Sequence, residues 1–131
     1  MKKDIKIPKV ENVEIAITLE KNEQDGANEW CVYIINKKEV ALEMVVIVSQ
    51  GFSETKKTSL FRRKIDLLPA KSFSKFEIMQ PELLALDNQF QVTFFENNVL
   101  HDKTFIFQAD TIQEGFFRDI EILGKKGVFI K

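Results

Sequence analysis

The sequence is poor in the residues that build disulfides, metal centres and many catalytic sites. Its 131 residues include one cysteine, Cys31, and one histidine, His101. A single cysteine cannot form an internal disulfide, and these two residues cannot supply the three or four nitrogen and sulfur ligands typical of a zinc site. We therefore expect no disulfide, no metal and no other cofactor.

Glycine-rich loops and long apolar runs are also missing. The five glycines are scattered, so no phosphate-binding loop or dinucleotide fingerprint is present. No run approaches the ~18 apolar residues of a membrane span, and the basic N-terminus is not followed by the apolar core of a signal peptide. We therefore expect a cytoplasmic protein that does not contact a membrane.

An excess of charge of either sign is absent as well. Nineteen basic residues balance twenty acidic ones, whereas proteins that bind nucleic acids usually carry a basic excess or stripe.

The aromatic residues are twelve phenylalanines with one tryptophan and one tyrosine. Phenylalanine has no polar group, so most of these rings should be buried in a core.

What the chain does contain is a series of short stretches with alternating apolar and polar residues. Val13–Leu19 is the clearest example, and this period of two is typical of an antiparallel strand with one buried face. Seven such stretches, separated by turns, predict an all-β fold, namely a single antiparallel seven-stranded immunoglobulin-like β-sandwich. We assign the sandwich to residues 1–108, with residues 1–12 as an N-terminal arm or edge strand.

The most apolar part of the chain surrounds a short polar turn. Trp30–Ile35 and Leu42–Gln50 are rich in β-branched residues on either side of it, which predicts a central hairpin. Both faces of this hairpin are partly apolar, so the second face, with Tyr33, Val45 and Ile47, should be covered by more of the chain or by a partner.

Residues 109–131 form a C-terminal extension that is too apolar to remain in water. We expect it to pack on the sandwich or on a partner, where it would add a strand to an exposed edge. Its candidate partner-binding residues are Phe116, Phe117, Val128, Phe129 and Ile130.

Two resemblances add to this interpretation. Trp30, Ile34–Asn36, the alternating Leu42–Val48 and the segment Leu67–Phe73 resemble the middle of immunoglobulin-like and fibronectin-like sandwiches. The paired cysteines of antibody domains are absent, so this likeness concerns architecture alone.

The whole chain also resembles a family of short Bacteroidota proteins, some of them labelled as a phenylalanyl-tRNA synthetase subunit. The residues that carry this likeness are Ile5–Pro8, Val32–Asn36, Leu68–Ser72 and Lys126–Val128. The resemblance implies a cytoplasmic location and supplies no site residues. The chain is too short and too rich in strands to contain the catalytic domain of a synthetase.

The sequence gives little support for catalysis. Asp102 follows His101 directly in a predicted strand, where neighbouring side chains point to opposite faces, so Asp102 is poorly placed to orient the imidazole. Nothing near Cys31 in sequence would lower the pKa of its thiol. We therefore predict that the protein is not an enzyme.

The leading hypothesis is a non-catalytic protein–protein interaction module, either an adaptor or an accessory subunit of a larger cytoplasmic complex. Its partner would be another protein or a second copy of the chain. The alternative is a nucleic-acid-binding accessory of the transcription or translation machinery, in which one basic strand grips phosphates and an aromatic ring stacks on a base. The residues of that strand and its approach are Lys56, Lys57, Phe61, Arg62, Arg63 and Lys64.

Overall fold

The computed structural model describes residues 9–131, which form nine β-strands. Their bounds are β1 Val13–Lys21, β2 Asn28–Asn36, β3 Leu42–Phe52, β4 Phe61–Leu68, β5 Ser72–Met79, β6 Asp87–Glu96, β7 Val99–Phe107, β8 Arg118–Ile120 and β9 Lys125–Ile130. Three short 3₁₀ helices cover Pro81–Ala85, Glu114–Phe116 and Glu121–Leu123. The all-β class predicted from the alternating pattern is confirmed.

The strands form two antiparallel sheets. The first sheet has the order β5-β2-β1-β9-β8 and the second has the order β4-β3-β6-β7. The inward faces of both sheets bury one apolar core, whose largest fully buried side chains are Phe90, Phe94 and Phe105. Most of its remaining members are β-branched residues, which pack well on pleated surfaces.

The predicted central hairpin is wrong. Trp30–Asn36 belongs to β2 in the first sheet, whereas Leu42–Gln50 belongs to β3 in the second. Residues 37–41 therefore cross between the sheets instead of turning within one. A short polar turn between two apolar strands is compatible with either arrangement, so the sequence pattern could not separate them.

The buried side chain of Asn36 holds this crossover in place. Its Nδ2 donates to the backbone oxygens of Val40, Leu68 and Pro69 at 2.9, 3.2 and 3.0 Å, and its Oδ1 accepts from the backbone nitrogen of Lys38 at 3.0 Å. The β4–β5 connection, which also crosses between the sheets, is thereby tied to the β2–β3 connection. A fully buried amide needs such partners, because an unpaired buried polar group is costly.

The C-terminal extension is part of the domain. β9 pairs with the edge of β1, with Ile15 opposite Ile130 and Ile17 opposite Val128, and β8 pairs with β9. The seven strands predicted within residues 1–108 correspond to β1–β7, and the extension adds two more to the first sheet. The predicted number of strands, seven, is therefore two fewer than the nine that the structure shows in residues 9–131.

The extension also covers the outer face of the first sheet. Ala16, Cys31, Tyr33 and Ile35 are buried there in a second apolar cluster. Its other members, contributed by the extension, are Ile120, Ile122, Leu123 and Phe129. Strands β1 and β2 are thus buried on both faces, which explains why β2 reads as a nearly continuous apolar run.

The predicted arm or edge strand at residues 1–12 falls mostly on residues 1–8, which lie outside the described residues. Of the remainder, Lys9–Asn12 are not in a strand, and Val10 is buried in the main core. The connection between β5 and β6 contains the 3₁₀ helix Pro81–Ala85, which begins with Pro81.

Gly127 allows β9 to approach β1. A Cβ atom at this position would lie 2.4 Å from the backbone oxygen of Ile17 and 3.1 Å from Cδ1 of Ile120. The first of these distances is well below van der Waals contact, and a backbone atom cannot move aside as a flexible side chain can.

We predict that Gly127→Ala lowers the free energy of unfolding by about 1–3 kcal/mol, because overpacking at this contact must displace β9. Urea denaturation followed by circular dichroism measures the change. Gly115→Ala is the matched control, since a Cβ there meets no atom within 4 Å. Equal stability of both variants and the wild type would contradict the close approach.

Candidate partner-binding groove

An apolar groove lies along one open side of the sandwich, between β7 of the second sheet and β9 of the first. It has a volume of about 530 Å³. Its walls are formed by Ile106, Phe107, Gln108, Thr111, Phe116, Arg118, Gly127, Val128, Phe129 and Ile130. A groove of this size, apolar with a few polar groups at its rim, is the usual form of a binding site.

The outer edge of β7 borders the groove. Among the described residues, β7 pairs with β6 along its whole length and with no strand on its other side. Val99, Leu100 and Ile106 are exposed at 47, 55 and 44 %. A nine-residue edge with apolar side chains is one that another extended chain can join, because its outward N–H and C=O groups have no partner strand.

The opposite wall is anchored to the core. Phe117 packs edge-to-face on Trp30, with ring centroids 6.1 Å apart, and both rings lie against the main core. Phe116, which precedes Phe117 in the 3₁₀ helix Glu114–Phe116, is 58 % exposed. Because Phe117 is packed against the core, it holds the adjacent Phe116 in position at the groove.

The structure divides the eight residues predicted to contact a partner into two groups. Phe116, Val128, Phe129 and Ile130 line the groove, and Phe117 supports it. The other three are Tyr33, Val45 and Ile47.

Tyr33, Val45 and Ile47 are only 5, 0 and 1 % exposed. Their expected surface was the second face of a hairpin, and no such hairpin exists. Val45 and Ile47 lie in the main core, and Tyr33 lies under the C-terminal extension. The prediction that these three residues lie on a partner-binding surface is therefore wrong, because their side chains are buried inside the domain.

A polar network fastens the extension above Tyr33. The Tyr33 hydroxyl donates to Oε2 of Glu20 at 2.5 Å, Thr18 donates to the same oxygen at 2.6 Å, and Lys125 Nζ lies 3.2 Å from Glu20 Oε1. Burial opposes ionisation of the Glu20 carboxyl, but the hydrogen bonds from Thr18, Tyr33 and Lys125 together hold its pKa below the usual value. This network joins β9 to β1 and β2 from the side opposite the main core.

The residues of the predicted basic strand do not share one surface. Arg63 Nε donates to the backbone oxygen of Phe76 in β5 at 2.9 Å, and its guanidinium lies 4.4 Å from the ring centre of Phe61. Lys64 forms an ion pair with Asp66 at 3.6 Å. Arg62 is exposed on β4, and Lys56 and Lys57 are exposed before that strand.

A second, smaller cleft lies on the opposite open side, between β4 and β5, with a volume of about 290 Å³. Within it, Ser49 Oγ of β3 donates to Oε1 of Glu77 in β5 at 2.8 Å. Burial raises the pKa of the Glu77 carboxyl above its usual value, against the lowering effects of Ser49 and the nearby charge of Arg63. Together with the Arg63–Phe76 hydrogen bond, this contact links the two sheets.

The two residues weighed earlier for catalysis lie in different sheets. His101 in β7 is buried and stacks on Phe94 with centroids 5.1 Å apart, and its Nδ1 lies 3.0 Å from the backbone oxygen of Val99. Cys31 in β2 is fully buried, and burial raises the pKa of its thiol. The described residues contain no group of three or more His, Cys, Asp or Glu side chains placed to hold a metal ion.

Sequence reasoning missed the β7 half of the groove. Ile106 alternates with the buried Phe105 and Phe107, so its outward direction was visible in the sequence. What the sequence did not reveal is that β9 lies opposite β7, because the two strands meet across the open side of the sandwich without pairing.

No protein-family model, curated protein or solved structure matches this chain. The resemblance to the Bacteroidota family, drawn from residues in the sequence, stays a prediction. Among residues 9–131, no helix combines the length and apolar character that crossing a membrane requires.

The pKa of Glu77 predicts a pH dependence of stability. Because the folded carboxyl holds its proton to higher pH than the unfolded one, the free energy of unfolding should fall as pH rises from about 4.5 through the folded pKa. Glu77→Gln removes this ionisation and should be more stable than the wild type at pH 7, with the difference shrinking toward pH 4.

Urea denaturation at a series of pH values tests this prediction. Glu82→Gln, a substitution at an exposed position, is the matched control and should follow the wild-type profile. A Glu77→Gln profile parallel to that of the wild type from pH 4 to 8 would show that ionisation of Glu77 is not linked to folding.

Proposed function

We propose that this chain is a non-catalytic protein-interaction module that binds an extended segment of a partner protein along β7. The observation that carries the proposal is the coincidence of an unpaired nine-residue edge with an adjoining apolar groove of about 530 Å³. In strand addition, main-chain hydrogen bonds to the edge provide affinity, and pockets for alternate side chains provide specificity. Here the β7 edge offers the main-chain hydrogen bonds, and the groove offers the pocket for side chains.

The chemistry of the groove defines the partner segment. The walls are mainly aromatic and aliphatic side chains, including Phe116, Phe129 and Ile130, with Arg118 and Gln108 as polar groups. A matching segment is extended, carries aliphatic or aromatic residues at alternate positions, and has polar residues between them that remain in water. A second copy of the chain that pairs through its own β7 edge satisfies the same requirements.

The strand order supports an immunoglobulin-like assignment for the scaffold. β1, β2 and β5 are neighbours in one sheet, and β4-β3-β6-β7 form the other. This corresponds to strands A, B, E and to strands C′, C, F, G of immunoglobulin-related sandwiches. On this assignment β8 and β9 extend the first sheet beyond strand A, and β7 is the final strand, G.

An adaptor or accessory-subunit role in the cytoplasm is consistent with a rigid scaffold that presents one binding edge. The nucleic-acid alternative has weaker support. Arg63 is engaged with the backbone of β5 and Lys64 with Asp66, so fewer of the five basic residues in this set are available to phosphates than the sequence suggested.

Substitution at the edge tests the proposal. We predict that Ile106→Asp reduces capture of the partner at least about tenfold, since a carboxylate at the groove opposes an apolar segment. Leu67→Asp on β4 is the matched control, because Leu67 is similarly exposed at 54 % and lies away from the groove. The measurement is quantitative affinity capture from native lysate with tagged wild type and both variants.

The capture is repeated at low and high salt and after nuclease treatment. Binding that resists salt and nuclease but is lost in Ile106→Asp supports strand addition to β7. Binding that disappears with nuclease and weakens steeply with salt favours the basic-strand alternative. Loss in Leu67→Asp with full binding by Ile106→Asp would place the interaction on the β4 side and overturn the proposal.

A further inference from the structure

The outer face of the second sheet carries a row of apolar side chains that crosses all four strands. Leu67 of β4, Met44 of β3 and Leu100 of β7 are exposed at 54, 53 and 55 %. In β6, the half-buried Phe95 lies opposite Leu100 on one side and Glu43 on the other. Glu43 in turn lies opposite Leu67, so the strand pairing aligns these residues in one band. Exposed apolar patches of this kind mark interaction sites.

The buried neighbours of these residues show that the row faces away from the core. Successive side chains of a strand point to opposite faces of the sheet. Phe94 and His101 are buried and stack on each other, so the adjoining Phe95 and Leu100 point outward. In β3, an irregularity in the pairing with β6 spans Met44, which has a φ of 48° and an exposed side chain. The C-terminal extension covers the outer face of the first sheet, whereas no described residue covers this row.

The two margins of the same face carry opposite charges. Lys64 of β4 and Asp102 of β7 are both exposed. In the strand pairing, Lys64 lies opposite Val46 of β3, and the row continues through Thr93 of β6 to Asp102. The row beside the apolar one therefore begins with a cation and ends with an anion.

Both charged side chains lie on the outer face. Asp102 follows the buried His101, and Lys64 follows Arg63, whose Nε donates inward to the backbone of β5 in the first sheet. Lys64 also pairs with Asp66 at 3.6 Å, but both side chains are exposed and such pairs are weak. Because its ammonium group has three donors, Lys64 can bind a second carboxylate.

A second copy of the chain is complementary to this face when a twofold axis runs parallel to the strands. Such an axis places β4 of each copy over β7 of the other, so Leu67 meets Leu100 of the second copy. In the adjoining row Lys64 meets Asp102 of the second copy, and symmetry repeats each contact. Sheets that pack face to face keep their strands within about 30° of each other, as this axis requires. An axis perpendicular to the strands would instead set the basic β4 margins against each other.

We propose that two copies of this chain associate through the outer faces of their second sheets, with the apolar rows in contact and Lys64 paired with Asp102 of the second copy. The face spans four strands about 4.8 Å apart over roughly eight residues, or about 500 Å² in projection. Specific interfaces bury about 800 Å² per partner, so we expect a weak dimer that forms at micromolar concentrations. The dimer leaves the outer edge of β7 free, because face-to-face packing uses side chains and not the hydrogen-bonding edge.

Sedimentation equilibrium of the full chain tests the proposal with a charge exchange. From ~1 to ~300 µM, a range that brackets a weak dimer, we expect the wild type to change from monomer to dimer. Lys64→Glu and Asp102→Lys each set like charges opposite each other, so each should raise the dimer dissociation constant at least about tenfold. The double variant Lys64→Glu/Asp102→Lys restores opposite charges and should recover the wild-type constant within about threefold.

Lys75→Glu on β5 of the first sheet is the matched control. It makes the same charge change at an exposed position away from this face and should leave the dissociation constant unchanged. Leu67→Asp should abolish the dimer, while its melting temperature shows a folded monomer. A wild type that is monomeric throughout, or a double variant that associates no better than the single variants, overturns the proposal. A dimer that persists in Leu67→Asp but is lost in Ile106→Asp also overturns it, because the copies would then pair through β7.

The tests of this face and of partner binding to β7 fail separately. If Leu67→Asp is monomeric and still captures the partner, the face joins two copies and the partner binds at a different surface, as both proposals require. If Ile106→Asp retains capture while the charge exchange behaves as expected, the dimer stands and strand addition to β7 fails. If the charge exchange has no effect but Ile106→Asp loses capture, the opposite holds.

Discussion

The close approach of β9 to β1 is the constraint on which the rest of the structure depends. Gly127 permits it, because any side chain at this position would meet the backbone of Ile17. Once β9 is paired, the edge of β1 is closed and the 3₁₀ helix before β9 lies on the outer face of the first sheet. The same strand forms one wall of the groove, so the C-terminus contributes to stability and to the candidate site.

The centre of the first sheet, formed by β1 and β2, is buried on both faces as a consequence, whereas antiparallel sheets commonly have one face in water. Its outer cluster joins Tyr33 and Cys31 to Ile120 and Leu123, and the hydrogen bonds around Glu20 hold this layer in place from above. The second sheet has no such cover among the described residues. In the first sheet, β9 covers the edge of β1. In the described part of the second sheet, no strand covers the outer edge of β7, which borders the groove.

Much of the fold was predictable because alternation of apolar and polar residues is a local property of the chain. It identified the segments that form β1–β7. Pairing partners were less predictable, and the Trp30–Gln50 hairpin was wrong because a turn of five residues joins strands within a sheet or between sheets equally well. The deciding contact is the buried amide of Asn36, which binds the backbone of Leu68 and Pro69. Residues more than thirty positions away determine this contact, so no local pattern reveals it.

The sequence by itself determined the all-β class, the strand segments and the need to bury an apolar C-terminus, since each follows from composition and periodicity within short windows. Only the tertiary structure decided what that C-terminus covers, which sheet each strand joins, and that Phe116, Phe129 and Ile130 face β7 across a groove. The physical reason is that burial is specified by hydrophobicity alone, whereas the choice of partner depends on shape and on hydrogen bonds between residues distant in the chain.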